Sequence, residues 1–239
     1  MPTRQPVSFG TGEPWNAGLW VVVPAFNEAS VIGDVVRSVR DRCPNVVVVD
    51  DGSDDTTEAE ALAAGAAVVR HVINLGQGAA LQTGIEYALR RGAACIATFD
   101  ADGQHHADDL VRMVAALRSQ DVDVVLGSRF LGRSENMPPG RRLMLHAAVV
   151  LTRLTAGVKL TDAHNGLRVM TAATARRLRI VQDQMAHASE LVSQIGRLGL
   201  RVAEVPVTVS YTRYSIHKGQ RLTNSVRILT DLVVGWLLR

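Results

Sequence analysis

The chain has 239 residues, 47% of them apolar and 21% charged, with a formal charge of +3. That length suits one large or two small globular domains with a real core. Aromatic residues make up only 4%, which argues against the stacking surface of a nucleic-acid binder; Cys43 and Cys95 are far apart and without CxxC spacing, and Cys95, in an apolar run, reads as a buried free thiol, which fits a reducing compartment.

Residues 1–18 are rich in Gly, Pro and polar side chains and lack the apolar stretch of a signal peptide, so a loose arm is expected. An apolar run at 19–24 predicts a buried strand closed by Pro24. Val31, Ile32, Val35, Val36 and Val39 recur at helical spacing within 28–42, and Pro44 stops that helix. Val46–Val49 is a second buried strand, running into Asp50-Asp51-Gly52-Ser53. Asp55 or Thr56 caps a helix to Ala64, followed by Gly65. Strands are expected at 67–71, 93–99 and 122–127, with helices at 78–91 and 107–119 between them. Short links and near-continuous Val runs imply a mainly parallel sheet covered on both faces.

Beyond Gly127 the pattern changes. A basic Pro/Gly-rich loop at 133–142 precedes an amphipathic helix at 143–158. A turn and a short strand follow at 161–170, then a helix at 187–199 bearing Glu190. The strand at 200–209 contains Pro206 and so belongs at a sheet edge. A basic loop at 211–221 leads to a second amphipathic helix at 222–238. No segment reaches 18 uncharged apolar residues, so no transmembrane span is expected.

Ligands of parallel sheets bind at the carboxyl ends of the strands. Four polar clusters are expected there: Pro24–Asn27, Asp50–Ser53, Asp100–Gln104 and Ser128-Arg129. Asp100, Asp102 and Gln104 offer three oxygens to Mg2+ or Mn2+, which would keep other positions for phosphate and water. Such a cation neutralises the charge that grows on a departing diphosphate. Asp50 or Asp51 can accept the N–H of a uracil or guanine ring. Arg129 can grip a phosphate oxygen or form a surface salt bridge. Gly76 and Gly78 make neither a P-loop nor a complete dinucleotide fingerprint, and no GxSxG or HExxH occurs. His105 and His106 are expected on the rim rather than around a structural metal.

PAFNE (24–28), VVDDGSDDTT (48–57), NLGQGAAL (74–81), FDADGQH (99–105), GSRF (127–130) and DAHNGLR (162–168) occur in this order. Together they resemble family 2 glycosyltransferases, most closely the branch of dolichyl- and polyprenyl-phosphate sugar transferases. The resemblance covers roughly residues 19–221. It implies an α/β, Rossmann-like nucleotide-sugar-binding domain of type A and an inverting, metal-dependent transfer. A donor half at 19–130 and an acceptor half at 131–221 are expected. Pro24, Ala25, Asn27, Glu28 and Asp51, with Gln77, Asp100, Ala101 and Asp102, would hold the donor, a UDP- or GDP-sugar. Asp100, Asp102 and Gln104 would hold the metal. Arg129, Arg142, His146, Arg168, Arg213 and Lys218 would hold the phosphate of a polyprenyl phosphate acceptor. The chain departs from the branch at Gln77, where Lys is usual, at His146, where Ser is usual, and at Asn165-Gly166-Leu167-Arg168 in place of Ser-Gly-Phe-Arg.

A lipid phosphate is already an anion and needs no strong base. A sugar hydroxyl, as in polysaccharide or glycolipid assembly, needs a carboxylate within reach, and Asp162 and Glu190 are the candidates beside Asp102 and Arg129. A nucleotidyltransferase lacks support because no Gly-rich basic signature follows the first strand; a non-catalytic sugar-nucleotide binder is the remaining alternative. The basic surplus at 129–159 and the two amphipathic helices point to peripheral contact with the inner face of the cell membrane from the cytoplasm, through the lipid, a membrane-protein partner or a homo-oligomer.

Overall fold

A computed structural model describes residues 14–156, 158–162, 164–182, 186–212 and 214. The first half alternates as the valine runs require: β1 Leu19–Ala25, α1 Ile32–Arg40, β2 Val46–Asp50, α2 Thr57–Ala63, β3 Ala67–Arg70, α3 Gln77–Arg90, β4 Cys95–Thr98 and α4 Asp108–Ser119. β5 Val124–Glu135, α5 Pro139–Ala156, β6 Arg168–Thr171, the short α6 Ala172–Ala175, α7 Ala186–Arg197 and β7 Val202–Ser210 complete it. Asp55 accepts the N–H of Thr57, the first residue of α2, at 3.0 Å.

The seven strands lie in the order β3-β2-β1-β4-β6-β5-β7. All neighbours are parallel except β6, which runs antiparallel to both β4 and β5. β2 is buried along its whole length, the signature of a strand covered on both faces. One core layer joins Val21, Val48, Ala97 and Val169 to α1 and α4. The opposite layer joins Val22, Val47, Ile96 and Met170 to α3 and α7. β7 ends the sheet, with Pro206 exposed on that edge. Cys43 and Cys95 are both free and buried, and burial pushes the Cys95 thiol up to about 12, where it is inert.

Two expectations need correction. β5 does not end at Gly127: it continues to Glu135 alongside β7, with a register shift between Ser128 and Arg133. Ser128 and Arg129 are therefore interior to a strand, because β7 supplies backbone partners that no local pattern reveals. The first amphipathic helix begins earlier than 143, at Pro139, a residue whose ring suits a first helical turn. No helix among the described residues is long and apolar enough to cross a membrane. The helix expected at 222–238 lies outside the described residues.

Candidate active site

The carboxyl ends of β1, β2 and β4 meet along one rim, joined by the start of β6. Pro24 and Ala25 are the last residues of β1, both buried, and the Ala25 carbonyl accepts the N–H of Asp51 at 2.8 Å. Asn27 follows with a left-handed φ of 53°, a conformation that Asn tolerates better than most side chains. Polar contacts hold it: its N–H donates to Ser53 Oγ at 2.9 Å, and its Oδ1 accepts the N–H of Asp54 at 2.9 Å. Glu28 is buried; its N–H donates to Thr57 Oγ1 at 2.8 Å and its Oε2 accepts Tyr214 O–H at 2.7 Å.

Asp51 shapes the next loop. It accepts the N–H groups of Leu75 and Gly76, at 2.9 and 2.7 Å, and meets His71 Nδ1 at 2.7 Å. Three of a carboxylate's roughly four acceptor positions are thus taken by its own chain. Gly76, which precedes α3, has a φ of 95°, and this explains the glycine there better than phosphate cradling does.

Asp100 and Asp102 leave β4 with Ala101 buried between them. Asp100 accepts Gln77 Nε2 at 3.3 Å and meets His105 Nε2 at 3.1 Å. Burial pushes its carboxyl up, but His105, Arg168 and His187 more than reverse this and hold it below the ordinary value. Asp102 accepts the N–H and Nε2 of Gln104 at 3.1 and 2.7 Å. Burial, and then the charge of Asp100, push the Asp102 carboxyl up to about 6. Two half-buried carboxylates, one of which raises the other's pKa, with an amide beside them, are a donor set for a hard divalent cation. Among the described residues no three His, Cys, Asp or Glu side chains form a closed metal cage.

Gly166 makes this arrangement possible. A Cβ on it would lie 2.0 Å from Asp100 Oδ2, and its carbonyl accepts Thr98 Oγ1 at 2.6 Å. The glycine therefore places the loop before β6 directly against the first aspartate.

Arg129 and Asp162 are each other's partner. Asp162 Oδ2 accepts the N–H of Arg129 at 3.1 Å and its Nε at 2.6 Å. Arg129 also donates Nη1 to Tyr211 Oη at 2.8 Å and Nη2 to the His164 carbonyl at 3.0 Å. Burial works against the arginine's charge, but Asp162 and Tyr211 hold its pKa above the ordinary value. Glu204 of β7 fixes the same loop by accepting the N–H groups of Thr161 and Asp162. Glu190 is engaged too: it accepts the N–H groups of Val181 and Gln182, at 3.1 and 2.8 Å, and Gln194 Nε2.

Arg142 and His146 are exposed one turn apart on α5, where His146 Nδ1 meets the Arg142 carbonyl at 2.8 Å and its ring lies 4.4 Å from that of Phe130. Arg168 is buried at the start of β6. Arg213 and Lys218 lie outside the described residues. The rim thus gathers Pro24, Ala25, Asn27, Glu28, Asp51, Gln77, Asp100, Ala101, Asp102 and Gln104, while Arg129 and Asp162 sit beside it and Glu190 faces the 181–182 segment. Sequence reasoning missed His71, Tyr211, Tyr214 and Glu204, whose partners are distant in the chain. His105 alone carried a local signal, its place in FDADGQH.

His164 supplies a pH test. Burial pulls its imidazole down to about 4, with Arg168, Arg129 and His187 adding to the fall and Asp162 opposing it. The unfolded chain takes up this proton first, so stability present above pH 6.5 is lost as pH drops toward 4. His164→Gln should remove on the order of 2 kcal/mol of that acid sensitivity. Melting curves between pH 7 and 4.5 check this; parallel curves for wild type and variant would refute it.

Residues 20–178 match the Glycosyl transferase family 2 profile. An uncharacterized protein, MJ1222, of Methanocaldococcus jannaschii is 37% identical over 90% of this chain and 91% of its own. The undecaprenyl-phosphate mannosyltransferase of Micrococcus luteus is 32% identical, covering 78% of this chain and 81% of that one. Glucosyl-3-phosphoglycerate synthase of Mycobacterium tuberculosis, solved with Mn2+, uridine diphosphate and glucosyl-3-phosphoglycerate, shares the fold with a TM-score of 0.72 and 21% identity, over 96% of this chain and 85% of that one. The chain belongs to glycosyl transferase family 2: it is a glycosyltransferase with the mixed α/β, type A fold.

Proposed function

We propose that the protein transfers a sugar from a UDP- or GDP-sugar to a polyprenyl phosphate, with inversion, at the cytoplasmic face of the membrane. One observation carries the choice of acceptor. Both candidate bases for a hydroxyl acceptor are engaged in holding the fold, Asp162 on Arg129 and Glu190 on the 181–182 backbone. An anionic lipid phosphate needs no deprotonation, so neither is required. The lipid-phosphate acceptor in the name of the Micrococcus luteus relative supports the same reading.

In this reading Pro24, Ala25, Asn27, Glu28 and Asp51 position the nucleoside, and Gln77 steadies Asp100. Asp100, Asp102 and Gln104 would hold Mg2+ or Mn2+. When bound, that cation would neutralise the diphosphate as it leaves. An oxygen of the acceptor phosphate forms the new bond to the anomeric carbon from the opposite side. The carbon–oxygen bond to the diphosphate breaks, and its electron pair leaves with the diphosphate. Arg129, Arg142, His146 and Arg168, with Arg213 and Lys218, orient the acceptor, because guanidinium groups suit bidentate phosphate capture. Leu143, within the Arg142–His146 turn of α5, and Val150, one turn beyond it, are exposed, an arrangement suited to a bilayer surface.

Glu190→Gln and Asp162→Asn should each retain turnover on polyprenyl phosphate within about tenfold of wild type. Product formation by each variant, with polyprenyl phosphate and with an oligosaccharide acceptor, is the measurement. A loss on the order of a hundredfold or more, the usual effect of removing a general base, would instead support transfer to a sugar hydroxyl.

A further inference from the structure

The acidic loop after β4 lies in a trough of the rim. Val22 of β1 is level with Thr98, the last residue of β4, yet β1 runs on to Ala25, which is level with Asp50 and, through it, with Arg70 at the end of β3. Three further residues raise that flank by about 10 Å. On the other side Leu126 is level with Arg168, and so with Thr98, while β5 continues to Glu135 and α5 starts at Pro139. Asp100 and Asp102 therefore sit between two raised flanks.

Both flanks carry exposed apolar side chains. Val72, Ile73, Asn74 and Leu75 follow β3 and are exposed in a row, with Val72 at 98%, Ile73 at 65% and Leu75 at 45%. The inner side of this loop is anchored: Asp51 accepts the N–H groups of Leu75 and Gly76, and a Cβ on Gly52 would lie 2.6 Å from the Ile73 carbonyl carbon. A backbone held this way keeps the three apolar side chains in water. On the opposite flank Leu131 of β5 and Leu143 of α5 are exposed as well. Ordered apolar surface of this kind marks a contact site.

Chemistry selects the occupant. Residues 72–85 contain no Asp, Glu, Lys or Arg, so the loop has no charge to match against a polar partner. A convex tip of three side chains falls well short of the roughly 800 Å2 per partner of a stable protein interface. Entry into lipid needs neither a complementary surface nor that area, because apolar burial alone drives it.

We propose that the 72–75 loop enters a bilayer surface together with Leu131 and Leu143, so that the trough opens toward the membrane and the acceptor's phosphate reaches it without the lipid leaving its leaflet. This rests on the lipid-phosphate reading, to which it adds a second contact and an orientation.

The test uses the full chain with one cysteine added at a time, Val72→Cys, Leu143→Cys or Ala173→Cys, each labelled with the environment-sensitive dye nitrobenzoxadiazole. Cys43 and Cys95 are buried and stay unlabelled. Ala173 is exposed at the other end of the sheet, where the N–H of Ala172 meets the Ala94 carbonyl. On vesicles of phosphatidylcholine and phosphatidylglycerol, the dyes at 72 and 143 should shift to the blue and be quenched by nitroxide-bearing lipid, and the dye at 173 should do neither. The double variant Val72→Asp/Ile73→Asp should melt with the wild type, bind these vesicles about tenfold to a hundredfold more weakly, and keep its turnover on farnesyl phosphate in solution. A shift at 143 alone overturns the proposal and leaves the membrane reading standing; a shift at neither position removes both. A shift at all three overturns it too, since the bilayer then has no preferred face. So does a dye at 72 that is shielded without vesicles: shielding that grows with protein concentration assigns the loop to a second copy, and shielding independent of concentration assigns it to residues 215–239 of the same chain.

Discussion

Asp102→Ala should abolish metal-dependent donor binding while leaving the fold intact. Asp102 is half-buried beside Asp100, and its protein contacts are two donors from Gln104. It keeps its proton to about pH 6 in the folded chain, well above an unfolded aspartate. Its ionisation therefore works against folding as pH rises through that value, and alanine removes the effect. The ligand-free variant should thus melt at or slightly above the wild-type temperature at pH 7.5. In wild type, one class among UDP-, GDP-, dTDP- and CDP-sugars should raise the melting temperature only when Mn2+ is present, and the variant should lose that rise. Turnover should fall at least about a hundredfold, as when other electrostatic supports of a leaving group are removed. An unchanged Mn2+-dependent rise in Asp102→Ala would move the donor site away from this rim.

Gly166→Ala should nearly silence the enzyme through a single methyl group. The added carbon would stand 2.0 Å from Asp100 Oδ2 and 2.3 Å from its Cγ. Neither side yields easily: Thr98 Oγ1 ties the Gly166 carbonyl at 2.6 Å, while Gln77 and His105 tie Asp100. Overpacking of this kind costs about 1–3 kcal/mol. For a domain of this size that corresponds to a melting temperature roughly 2–10 °C lower. Displacing Asp100 by an ångström should lower turnover about a hundredfold. Gly140→Ala is the control, because a Cβ there meets nothing within 4 Å; it should keep both stability and rate. A fully active Gly166→Ala would mean that the position of Asp100 does not matter to the reaction.

The two substitutions differ in how far they could be read from the sequence. Asp102 stands in a motif of adjacent residues, so its role is written locally. The role of Gly166 depends on a loop 66 residues further along the chain folding against Asp100. The same division runs through the acceptor half. Arg129 was legible as a phosphate ligand or a salt bridge, but its pairing with Asp162, and the Glu204 contacts that fix the Asp162 loop, join segments 33 and 42 residues apart.

The sequence by itself determined the strand–helix alternation, the two-sided burial of the sheet, the acidic loop after β4 and the family. Each is carried by residue spacing or by contiguous motifs, because burial periodicity and loop chemistry act within a few residues. Only the tertiary structure decided that β6 enters antiparallel between β4 and β5, that β5 runs on to Glu135, that Tyr214 reaches Glu28 across 186 residues, and that Arg168 is buried at the start of β6 near the charges of Asp100 and Asp162. Strand pairing and buried charge matching depend on backbone and side-chain groups that meet only after the chain closes on itself, and no local periodicity records which groups will meet.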